Sequence, residues 1–120
     1  MANQQNLVEI KRCLNIIMNR KLYYIFHNSE LDMYKRLILI ELEMLISDEQ
    51  LSNIIFLEIA INIHHILDFY VRDELELVEN SIIEIELELI LDELNEECEF
   101  YEKYEACYNI KEFIKMYNKI

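Results

Sequence analysis

The 120-residue chain contains neither glycine nor proline, and this double absence limits the fold more than any motif does. Tight β-hairpins favour Gly or Asn-Gly, which accept positive φ at little cost. α/β folds lean on Gly at helix C-termini and in phosphate-binding loops. The chain is therefore expected to be all-α, a bundle of four to five helices in one domain over residues 1–120. The same absence removes chemistry: a Walker A loop, a GxGxxG dinucleotide fingerprint and a GxSxG nucleophile elbow all need glycine.

Apolar spacing sets out the helices. Leu7, Ile10, Leu14, Ile17, Met18, Leu22 and Ile25 recur at steps of three and four and predict a first helix over about 5–26. Ser29 followed by Asp32 resembles a capping box and starts a second helix, about 30–46. Ser47 with Gln50 repeats the device, with Ser52 as an alternative cap, ahead of a third helix over about 49–72. That helix is apolar nearly all round, which predicts a central position or contact with a second subunit. Ser81 and Glu84 form the clearest capping box. A last helix, about 106–118, carries Ile110, Phe113, Ile114 and Tyr117 opposite Lys111, Lys115 and Lys119.

One segment fits two templates. SIIEIELELILDELNE, residues 81–96, alternates acid and aliphatic like a strand as far as residue 89. Beyond it the alternation breaks, while Ile83, Leu87, Ile90, Leu91 and Leu94 keep the helical period, so helix is predicted. Similar alternation leaves strand as an alternative in 37–46, 57–63 and 82–89.

Hydrophobic residues make up 53% of the chain, which excludes disorder for want of a core. One copy of 120 residues has trouble hiding so much aliphatic side chain, so a homodimer or an obligate partner is expected. The three cysteines, Cys13, Cys98 and Cys107, form no CxxC pair and are read as reduced thiols. The N-terminal residues lack the pattern of a signal peptide, and no apolar run is long enough to span a bilayer. These features predict a soluble cytoplasmic protein with no membrane association.

Charge is the most uneven property. The formal net charge is −13, and residues 68–105 alone hold 15 acids against Arg72 and Lys103. Like charges four apart on a helix repel, as do Glu84/Glu88 and Asp92/Glu96, so such clustering opposes folding and solubility does not require it. An acidic rod complements a basic protein, with electrostatics speeding encounter and setting orientation. Nucleic acid itself would be repelled. The candidate partner-binding residues are Glu84, Glu86, Glu88, Asp92, Glu93, Glu96, Glu97, Glu99 and Glu102, occupying places otherwise taken by phosphates. Tyr101 and Tyr104 would stack on or bond to the partner's Arg and Lys. The alternative is that the acids only solvate a helix face. Lys111, Lys115 and Lys119 are expected to lie against the acidic helix and damp its repulsion.

Catalytic and metal signatures are sparse. His64, His65 and Asp68 could offer two ligands on one helical face, too few for a site, so no metal or cofactor is expected and a histidine hydrogen-bonded to Asp68 is the simpler reading. Arg20 and His27 have the Arg-x6-His outline seen in the helical RNase domains called HEPN, with Lys21 where a polar residue usually follows the Arg. That resemblance implies His27 as general acid or base and Arg20 as phosphate stabiliser. In general character the small, acidic, helical chain resembles several bacteriocin and contact-dependent immunity proteins and some phage-encoded inhibitors, although no motif identifies a family. The expectation is a non-enzymatic inhibitor of a basic nucleic-acid-handling protein, with a helical homodimer and an HEPN-like RNase as alternatives.

Overall fold

A computed structural model of the chain describes residues 2–22, 32–73 and 80–119, with side chains described for 7–22, 33–69 and 85–119. Five α-helices follow one another: α1 (Ala2–Lys21), α2 (Asp32–Glu43), α3 (Asn53–Asp73), α4 (Asn80–Phe100) and α5 (Tyr104–Tyr117). A 3-10 turn, Met44–Ile46, closes α2, and no strand occurs among the described residues. The fold is an all-α bundle. Residues 37–46, 57–63 and 82–89, where alternation also suits a strand, are helical.

In α1 and α4 the buried residues are those at the predicted helical spacing, whereas α3, apolar nearly all round, has its buried side chosen by packing. Ile10, Leu14, Ile17 and Met18 of α1 and Phe56, Ile59, Ala60, Ile63 and Leu67 of α3 are buried. In α4 the buried set is Leu87, Ile90, Leu91, Leu94 and Cys98, the helical stripe of the ambiguous segment. Of the predicted α5 face, Ile110 and Phe113 are buried, while Ile114 and Tyr117 pack half-buried against the core.

Element ends depart from the sequence reading for local reasons. α1 stops at Lys21, although the Leu22 amide still donates to the Met18 carbonyl at 2.9 Å; Ser29 and His27 lie outside the described residues. Ser52, not Ser47, caps α3: its Oγ accepts from the Ile55 amide at 3.4 Å, whereas the Ser47 Oγ accepts from the Glu49 amide two residues on and forms a turn. α4 is described from Asn80 onward, and the side chains of the Ser81/Glu84 capping box lie outside the described residues.

The helices form a ring in which each packs on its neighbours: α1 on α4 and α2, α2 on α3, and α5 on both α3 and α4. Among the described residues α3 and α4 scarcely touch. The bundle measures 46 × 27 × 18 Å, less than two helix diameters in its thinnest direction, so no helix can be enclosed on all sides. Of the two positions expected for α3, central or facing a second subunit, the central one does not hold: α3 packs chiefly on α2 and α5, and Ile54, Leu57, Ile61 and Phe69 are exposed.

Two buried polar side chains hold the segment between α2 and α3 against α5. Asn109, fully buried, accepts from the Leu51 amide at 2.8 Å and donates to the Glu49 carbonyl at 2.9 Å. Lys103, 4% exposed, buries its stem and pairs its ammonium with Asp48. Between α4 and α5 the chain turns through Glu102 at φ 57°, a left-handed conformation that usually belongs to glycine. The Lys103 amide bonds the Cys98 carbonyl (2.8 Å) and the Glu102 amide bonds the Glu99 carbonyl (3.1 Å), the pattern of a Schellman cap. A chain without glycine must close this cap with a residue that strains against it, at about 1 kcal/mol.

Candidate functional site

A helix turns 100° per residue, so the acids of α4 do not form a single face. Glu88, Asp92, Glu96 and Glu99 are exposed along one flank, and Glu102 continues them into the turn. Glu86, Glu93 and Glu97 are half-buried on the opposite flank, toward α1. There Glu93 forms an ion pair with Arg20, and the Cys13 thiol donates to Glu97 Oε2 at 3.6 Å. The side chain of Glu84 lies outside the described residues.

On the outer flank the carboxylates are only lightly engaged. Glu99 accepts from Asn95 Nδ2 at 3.2 Å and lies 3.3 Å from Lys111 Nζ across to α5, the damping contact expected of that lysine. Lys115 instead pairs within its own helix, with Glu112 at 3.2 Å. Such exposed pairs contribute about 0–1 kcal/mol each and leave the field largely intact.

Tyr101 and Tyr104 separate in the structure. Tyr101 is half-buried against the core, its ring edge-on to Phe100 at 5.0 Å between centroids, while Tyr104 is 64% exposed. Phe100 (77%) and Tyr108 (39%) are exposed as well, so the corner between α4 and α5 presents three aromatic rings beside Glu99, Glu102 and Glu105. The structure adds acids that no local pattern revealed. Asp48 and Glu49 are exposed and arrive at this corner because Lys103 and Asn109 hold their loop there. Their sequence distance from α4 hid them; the only available signal was an asparagine among apolar neighbours in α5.

The remaining candidates carry less chemistry. His64 is half-buried and stacks on Tyr117 (centroids 4.8 Å apart, planes 2° apart), and its Nε2 is buried without a hydrogen-bond partner among the described residues. His65 and Asp68 are exposed. Among the described residues no group of three or more His, Cys, Asp or Glu side chains could hold a metal ion. Burial pushes the Cys98 thiol up to about 12, and burial followed by nearby carboxylates also raises Cys13 and Cys107, so all three thiols are protonated and poorly nucleophilic at neutral pH. The Arg20 guanidinium of the HEPN-like outline is engaged by Glu93, and His27 lies outside the described residues. Among the described residues no helix is long and apolar enough to cross a membrane.

Comparison with protein-family models, with curated proteins and with solved structures finds no match to this chain.

Proposed function

We propose that this protein binds a strongly basic, nucleic-acid-handling protein and inhibits it by covering its phosphate-binding cleft, as an immunity protein does for a nuclease toxin or a phage inhibitor does for a defence nuclease. One observation carries the reading: Glu88, Asp92, Glu96, Glu99 and Glu102 are all exposed on one flank, and that flank ends at the exposed rings Phe100, Tyr104 and Tyr108. From residue 88 to residue 99 the carboxylates extend along about 16 Å of helix, a spacing comparable to several phosphates of a nucleic-acid backbone. Aromatic rings beside carboxylates receive Arg and Lys by combined ring and ionic contact. Glu49 and Glu105 widen the same surface, with Asp48 beside them paired to Lys103.

The test is capture by the immobilised full chain at low ionic strength and release at high salt, followed by a nuclease or nucleic-acid-binding assay on the released protein. A basic protein whose activity is blocked by the native chain, and left unblocked by the triple variant Glu88→Gln/Asp92→Asn/Glu96→Gln, supports inhibition. Recovery of the chain alone, or equal inhibition by the triple variant, defeats it.

A second reading, a structural or regulatory homodimer, is favoured by a different observation: Ile54, Leu57 and Ile61 are exposed at three-and-four spacing on α3. Sedimentation equilibrium of the native chain and of Leu57→Asp/Ile61→Asp tests it. A dimer that the double variant dissolves supports this seam. An HEPN-like RNase is the enzymatic alternative. It requires RNA cleavage that His27→Ala abolishes.

A further inference from the structure

Where α3 and α4 scarcely touch, a cleft of about 400 Å³ opens with α5 beneath it. Its size falls in the range of small-molecule sites, roughly 300–1,000 Å³. Ile63 of α3, Ile85 and Leu91 of α4, and Phe113 and Ile114 of α5 make most of its wall apolar. The polar groups are few: His64, Glu88, Tyr117 and Asn118. His64 is held by its stack on Tyr117, and its Nε2 is buried without a hydrogen-bond partner. A ring nitrogen withdrawn from water and left unpaired favours any bound molecule that can exchange a hydrogen bond with it. Glu88 is exposed, and it is the one charged residue among the described residues that line the cleft.

We propose that this cleft is a binding site for a small organic cation, an apolar body carrying an ammonium group. The body lies against the aliphatic and aromatic wall, where burial drives binding. The ammonium faces the Glu88 carboxylate. The sign of the charge follows from the site and from the whole chain. No described lysine or arginine lines the cleft, and a net charge of −13 repels carboxylates and phosphates while gathering cations. The inference shares Glu88 with the proposed inhibitory flank but does not rest on that reading, since it uses the cleft beside α3 and no property of a partner protein.

The experiment titrates the isotope-labelled full chain with 2-phenylethylammonium, and in parallel with neutral 2-phenylethanol and anionic phenylacetate, following the His64 imidazole and the Ile85, Leu91 and Ile114 methyl signals. The expected result is a saturable shift at these four residues, tightest for the cation, weaker for the alcohol and absent for phenylacetate. Glu88→Gln weakens the cation about two- to five-fold and leaves the alcohol unchanged. Ile85→Trp, a change at an exposed position, blocks both probes while the rest of the spectrum stays native. The proposal is overturned if no probe produces a saturable shift, if phenylacetate binds as tightly as the cation, if the shifts centre on residues 92–105, or if Glu88→Gln has no effect on the cation.

Discussion

The two flanks of α4 carry the same residue type and differ in what faces them. Glu86, Glu93 and Glu97 look toward α1, where Arg20 and the Cys13 thiol meet two of them, and they are half-buried. Glu88, Asp92 and Glu96 look outward, exposed, and among the described residues only Glu99 at the end of their row is answered by a lysine, Lys111. The first flank is engaged by the fold; the second stays exposed. Formal charge therefore overstates the free negative surface, because part of it is already engaged inside the molecule.

The largest expected effect falls on the stripe between the flanks. Leu94 is fully buried, and Leu94→Ala should lower unfolding free energy by about 2–5 kcal/mol in urea titration, with little dependence on salt. A loss that varied strongly with salt would mean that the flanks, not the core, hold α4 in place. Next in size is the loop that brings extra acids to the outer flank. Asn109→Ala leaves the Leu51 amide and the Glu49 carbonyl without their partner and should cost about 1–3 kcal/mol, with hydrogen exchange rising in residues 47–52.

The stability of the α4 core also has a pH signature. The Cys98 thiol is raised from an ordinary 9.0 to about 12 by burial, so above pH 9 the unfolded chain loses a proton that the folded chain keeps. Stability should be flat in this respect below pH 9 and fall by up to about 1.4 kcal/mol per pH unit as pH rises toward 12. Cys98→Ala, compared by the slope of stability against pH in urea titrations, should lose most of that dependence.

At the end of the outer flank, Glu102→Gly should stabilise the protein by about 1 kcal/mol, read as a higher urea midpoint, by relieving the left-handed cap. A decrease would mean that the Glu102 side chain contributes more than its backbone strain costs. The smallest effects contrast the flanks directly. Arg20→Ala removes the α1 ion pair and should cost at most about 1 kcal/mol. The triple variant Glu88→Gln/Asp92→Asn/Glu96→Gln should instead gain about 0.5 kcal/mol by relieving repulsion, most clearly at low salt. If both sets of changes destabilise equally by urea titration, the two flanks do the same job and the distinction fails.

Much of this was legible in advance from particular residues. Leu87, Ile90, Leu91 and Leu94 outvoted the strand alternation of residues 81–89, since burying them on one side needs the helical period. The ends of elements were less legible: Ser47 and Ser52 are both credible caps, and only the position of the loop under Asn109 separates a turn from a helix start. That α3 is not enclosed was hidden because an apolar circumference describes a helix, whereas enclosure depends on how thick the whole bundle is. Tyr101 and Tyr104 look alike by composition, yet one turns onto the core and the other to solvent.

Taken alone, the amino-acid order determined the helical class and the buried stripes of α1 and α4, because both follow from propensities and spacings within a few turns of chain. It also determined that negative charge would crowd into α4 and its following turn. Which carboxylates remain free, how Glu49 joins them, and that a cleft stays open between α3 and α4 were decided only by tertiary packing. Those properties depend on which helices stand side by side, and a residue's partner across a helix interface, as with Arg20 and Glu93, can lie most of the chain away in sequence.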